Sequence, residues 1–170
     1  PQLSAEAARS LWDYATAVYS RPGIAESCLW FQDHCRGDVP VILFISWCSI
    51  RGVLVDHRLL AQVEQMVSVW HQDVVVPLRG LRRELKRDSK SIAQKAVCAF
   101  RAKIKALELE AEHLELNALE TLSYDETASP VPVSDQKRLI ASGLIQYFGQ
   151  LKCDVDEKIK ARISAFIVCL

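Results

Sequence analysis

Apolar residues recur at spacings of three and four along nearly the whole chain, and the strict alternation of a half-buried strand appears nowhere. The pattern predicts a first helix from about Ser4, as N-cap, to Tyr19, with Leu11, Trp12, Ala15, Val18 and Tyr19 inward. Ser20-Arg21-Pro22-Gly23 breaks the chain, and a second helix carries Ile24, Cys28, Leu29 and Phe31 toward Cys35. Gly37 is expected to stop that helix in a left-handed conformation, with Asp38 as N-cap of a third helix from about Val39 to Arg51, closed by Gly52. A fourth begins after Asp56 with Leu59, Leu60, Val63, Met66, Val67 and Trp70 inward. Pro77 should kink or split it before it ends near Arg87.

The fifth and longest helix spans about Ser91 to Leu122. Its inward stripe is read as Ile92, Ala96, Phe100, Ile104, Leu107, Ala111, Leu114 and Ala118. Residues 123–134, with Pro130 and Pro132, read as a linker. Residues 135–170 read as a pair of short helices, one after Ser134 and one after Asp154, with Glu157 completing an acidic capping box. The expectation is an all-α fold: one domain over 1–170, a compact bundle of six or seven helices, with the third and fifth central.

Composition narrows the function classes. A chain of 170 residues, half hydrophobic and a quarter charged, is long enough to bury a core without metal or disulfide staples. Its formal net charge of zero lacks the basic excess of nucleic-acid-binding domains, so nucleic acid is not an expected partner. The six cysteines are scattered with no CxxC pair, which predicts free thiols in a reducing cytoplasm and no zinc knuckle. The most apolar run, Val39 to Ile50, is shorter than the roughly 20 residues a bilayer needs. A soluble cytoplasmic protein without a membrane segment is expected.

Candidate chemistry was sought first in "LWFQDHCRGDVPVILFISWC", Leu29 to Cys48. Adjacent Asp33 and His34 point about 100° apart on a helix and cannot chelate one ion together. Asp38 is expected to be occupied with the orphan N–H groups of the helix it opens. Arg36-Gly37-Asp38 reads as a helix corner rather than an adhesion tripeptide. His57 and His71 fall too far apart along one helix to act together. Glu110 and His113 form a single ExxH where a di-iron bundle needs two. No set of three or four ligands is spaced to converge, so neither a metal nor a cofactor is expected.

Charge is unevenly spread. Ten Lys/Arg against two acids lie between Arg79 and Lys105, then seven acids with no Lys or Arg from Glu108 to Glu126. The helix macrodipole favours the opposite arrangement, so the pattern reads either as salt-screened charges on an exposed face or as charges compensated by neighbouring elements or a partner. Arg79, Arg82, Arg83 and Lys86 share one helix face, a spacing suited to carboxylates or phosphates. Two antiparallel copies could set Arg101, Lys103 and Lys105 against Glu108, Glu112 and Glu115, with Leu109 and Leu116 between them, giving a homodimer.

The stretch "LWDYATAVYSRPGIAESCLWFQDHCRGDV" resembles an uncharacterised bacterial family, a domain of unknown function. The resemblance is carried by Trp12, Tyr19, Gly23, Cys28, Leu29, Gln32, Asp33, Gly37, Asp38, Val39 and Trp47. A second block, "VVVPLRGLRRELK", fits through Pro77, Leu78, Arg79, Arg82 and Arg83, while Pro40 stands where the family has asparagine. The resemblance implies a small bacterial cytosolic helical protein and no reaction. It marks Trp12, Gln32, Asp33, Arg79, Arg82 and Arg83 as positions to test.

No catalytic constellation is present. The leading expectation is therefore a non-enzymatic interaction or regulatory module that uses charged helix faces toward a protein partner or a second copy. The alternative is a small enzyme or binding protein for an anionic metabolite, held by Arg79, Arg82, Arg83 and Lys86 with Trp12, Asp13, Gln32 and Asp33 nearby.

Overall fold

The computed structural model describes residues 9–87, 93–123 and 131–170. Among these there are eight α-helical segments and no strand: α1 (Leu11–Tyr19), α2 (Ile24–Cys35), α3 (Val39–Ile50), α4 (His57–Trp70), α5 (Val76–Glu84), α6 (Gln94–Glu120), α7 (Val133–Gln150) and α8 (Glu157–Cys169). A π-turn over His71–Val75 joins α4 to α5 as one rod, so the rods number seven and the expected all-α bundle is observed. No helix among the described residues is long and apolar enough to cross a membrane.

The central helix is α3. All 12 of its residues are buried, because it is apolar on every side and is covered by α7, α6, α1 and α2. Its closest approach is to α7, where Gly143 meets it: a Cβ there would stand 2.7 Å from Ile45 Cγ2. Phe31, Phe44, Trp47, Phe148 and Phe166 fill the space between layers.

Several element ends follow the sequence, and several correct it. Gly52 ends α3 with φ 81, and Asp56 caps α4 by accepting from the N–H groups of Arg58 and Leu59. Ser10 caps α1 by accepting from Asp13 N–H, while the expected cap Ser4 lies outside the described residues. The cap of α8 is Asp156, not Asp154, and α7 starts at Val133. Most of the expected 123–134 linker also lies outside the described residues. At the α2–α3 corner the left-handed residue is Arg36 (φ 57) rather than Gly37. Gly37 is needed for space instead, since a Cβ there would lie 3.2 Å from both Ile42 Cδ1 and Phe148 Cε1.

Pro77 acts as expected, though through a π-turn rather than a break. Lacking an N–H, it sits in the first turn of α5, where no intrahelical donor is required, and the widened turn precedes it. Met66 and Trp70 prove exposed, leaving Leu60, Val63 and Val67 as the inward face of α4.

The expected stripe on the longest helix holds at Ile104 and Ala111 and fails elsewhere, with Ile92 outside the described residues. Phe100, Leu107 and Leu114 are about half exposed, whereas Val97, Ile104, Glu108, Ala111, Glu115, Leu116 and Leu119 are buried. Burying a face that carries Glu108 wins because Arg79 and Arg82 stand opposite to receive it, while Glu115 on the same face meets His71 only at 3.7 Å.

Candidate functional site

Two clefts, each of about 510 Å³, open on either side of the Arg79 side chain. The first lies between the C-terminal end of α2, the start of α3, α4 with its π-turn, α5 and the end of α7. Its floor includes Asp38, His71 and Tyr147, and its exposed rim includes Arg36, Arg83 and Gln150.

Asp38 opens α3 yet caps nothing with its side chain. Pro40, the second helical residue, has no N–H, which leaves Val41 as the one capping donor in the first turn, and the Asp38 carboxylate does not take it. The Asp38 backbone N–H instead donates to the Tyr147 hydroxyl at 2.9 Å. The carboxylate, 4% exposed as a residue, is thereby turned toward His71.

His71 is the first residue of the π-turn, a widened turn of a kind that often marks functional positions. Its Nδ1 lies 3.0 Å from Asp38 Oδ2 and 3.7 Å from Glu115 Oε1. Neither contact is aligned as a hydrogen bond, and Nδ1 together with all four carboxylate oxygens of Asp38 and Glu115 lacks a hydrogen-bond partner. Glu115, 2% exposed, rises from α6 behind His71.

Charge in this cluster is unsettled. Burial pushes the Glu115 carboxyl up to about 8, partly offset by His71. Burial pulls the His71 imidazole down, but the contacts with Asp38 and Glu115 outweigh it and hold the ring up to about 9. Burial also pushes the Tyr147 hydroxyl above its ordinary range.

These three residues correct the expectation that no ligand set converges. One ligand atom from each of Asp38, His71 and Glu115 lies within 4.8 Å of the others. Sequence reasoning assigned Asp38 to a cap and never paired His71 with Glu115. Glu108, Ala111, Glu112, Glu115 and Leu119, at spacings of three and four, were the signal that glutamates share an inward face.

The arginines are held from within the chain. Arg79, 7% exposed, donates through Nε to Glu108 at 3.1 Å and through Nη2 to Glu112 at 2.8 Å. Arg82 donates to both oxygens of Glu108, and together with Arg79 it outweighs the burial that would raise that carboxyl, leaving it below its ordinary value. Arg83 pairs with Asp33 at 3.0 Å, both about half exposed. The opposed charges of the basic and acidic stretches thus meet across α5 and α6.

Gln32, Asp33, Arg79 and Arg83 line the first cleft. Trp12, Gln32, Arg79 and Arg82 line the second, more apolar one. Asp13 and Lys86 line neither and are exposed. Trp12 stacks on His113 with ring centroids 3.8 Å apart, so the single ExxH serves packing. His34 likewise stacks on Trp30.

The antiparallel pairing scheme needs a correction. Glu108, Glu115 and Leu116 are buried, and Arg101 donates to the Arg82 carbonyl, so these residues do not offer a matching outer face.

A family model described as "Protein of unknown function (DUF2390)" matches residues 10–119. No curated protein and no solved structure matches the chain. The matched span includes Asp38, His71 and Glu115, whereas Tyr147 and Gln150 reach the first cleft from beyond it.

Proposed function

The chain belongs to the DUF2390 family of proteins of unknown function, and from that premise we propose that it is a binding domain for a small polar ligand bearing an anionic group. The ligand enters the cleft between α4, α5 and α7. The observation that carries this reading is the cleft itself, of a size typical for small-molecule sites, with the buried, donor-less carboxylate of Asp38 at its floor and arginines at its rim.

The rim supplies the anion contact. Arg83 and Asp33 form an exposed pair, worth roughly 0–1 kcal/mol, so an incoming carboxylate or phosphate can take Arg83 from Asp33 at little cost. Arg36, exposed on the same rim, is a second donor. Arg79 and Arg82 are walls, because Glu108 and Glu112 already satisfy them. The same pairing weakens a reading in which those arginines present a charged face to a protein partner.

Thermal melting against a panel of small dicarboxylates and phosphate monoesters tests the reading. A ligand at about 100 times its Kd stabilises by roughly 2.7 kcal/mol, which shifts melting measurably. The expected result is a shift from at least one class, lost in the Arg36→Ala, Arg83→Ala double variant. No shift from any class, or an equal shift in the variant, contradicts it.

A further inference from the structure

The geometry points to a divalent first-row metal ion held by Asp38 and His71, which line the floor of the first cleft, and by Glu115 directly behind them. The inference rests on the same cleft as the proposed ligand site and deepens it, since a metal there would receive the ligand's anionic group from below while Arg36 and Arg83 hold it from the rim.

Three observations carry it. The first is spacing. Two ligand atoms each about 2.0–2.2 Å from one ion lie about 3.0–3.7 Å apart at angles of 90–120°. His71 Nδ1 stands 3.0 Å from Asp38 Oδ2 and 3.7 Å from Glu115 Oε1. The second is the lack of donors. Asp38 and Glu115 are both more than nine-tenths buried, and none of their four oxygens has a hydrogen-bond partner. Buried carboxylates are ordinarily paired or bound to a metal, and the pairing seen here with His71 is off the hydrogen-bond line. The third is placement. The three residues come from the start of α3, the π-turn and the middle of α6, so their convergence is a product of the tertiary fold.

The donor set selects the ion. One imidazole nitrogen with two carboxylate oxygens suits zinc, manganese or iron(II), whereas calcium prefers oxygen alone and copper(I) prefers sulfur. Three protein ligands leave a coordination position, as in sites that bind a further molecule on the metal.

The test uses the metal-free full chain with zinc chloride or manganese chloride and no organic ligand. Equilibrium dialysis should give close to one equivalent in the wild type, with a raised melting temperature. Glu115→Gln and Asp38→Asn, near-isosteric and checked for fold by circular dichroism, should bind about tenfold more weakly or worse. His57→Ala, which alters an exposed histidine on α4 away from the cluster, should bind as the wild type does.

A second measurement needs no variant. Manganese should broaden the NMR signals of His71 and Tyr147 before those of His57 and His113. Absence of binding in the wild type, equal binding in the two carboxylate variants, or broadening that starts at another histidine would each overturn the inference. Metal binding without any response to the anion panel would instead count only against the functional reading, and the reverse only against the metal.

Discussion

Pro40 withholds one N–H from the first turn of α3, and the Asp38 carboxylate leaves the other capping donor, on Val41, untaken. An aspartate before a helix is ordinarily read as a cap, and Asp56 and Asp156 behave so. Asp38 does not, and its carboxylate joins His71 and Glu115 in the interior. Pro40, plain in the sequence, removes one of the two capping donors but does not by itself free Asp38. The partners were not legible, because no local pattern ties His71 to Glu115 across the intervening helices. The arginines show the same contrast between residues of one type. Arg79→Ala removes the donor of half-buried Glu112 and one of the two arginines on buried Glu108, which keeps Arg82, and should cost roughly 1.5–3 kcal/mol, whereas Arg83→Ala opens an exposed pair and should cost at most about 1 kcal/mol. Urea denaturation of both variants checks this, and equal costs would contradict the burial argument.

At the scale of elements, periodicity located the helices but misread which face of the longest one turns inward. Phe100, Leu107 and Leu114 recur every seven residues and look like a core seam, yet they face out. Hydrophobicity alone ranks that face above one holding Glu108 and Glu115. The ion pairs of Glu108 with α5 reverse the ranking, and those exist only once α5 and α6 pack. The α3–α7 crossing was equally hidden, because nothing local distinguishes Gly143 from Gly149. Only the former would place a Cβ against Ile45 and Val55; nothing lies within 4 Å of the latter's. Gly143→Ala should therefore destabilise by about 1–3 kcal/mol through overpacking, reduced by the better helix propensity of alanine. A rise in the urea midpoint of that variant would contradict the close crossing.

For the whole molecule, an all-α bundle followed from the hydrophobic period with little ambiguity, while the clefts depend on how seven rods are arranged and could not be read from any one of them. The same arrangement sets a pH dependence. The Glu115 carboxyl, raised by burial to about 8 from 4.5, and the His71 ring, at about 9 against 6.5, both hold protons more tightly folded than unfolded. Their contribution is full below the unfolded values and is lost as pH rises through the folded ones, so metal-free protein should weaken between about pH 5 and about pH 9. Urea midpoints across that window measure it, and Glu115→Gln should flatten the trend. A wild-type midpoint that rises throughout the window would contradict it.

The central claim is that Asp38 and Glu115 are buried for a ligand and not for the fold. Thermal melting of the metal-free Glu115→Gln protein beside the metal-free wild type tests it most directly, because replacing a buried carboxylate that accepts no hydrogen bond by its neutral amide relieves desolvation and supplies an N–H toward Asp38. The account predicts that the variant melts at or above the wild-type temperature. A variant destabilised by about 3 kcal/mol or more would mark Glu115 as half of a structural ion pair with His71 and contradict the claim.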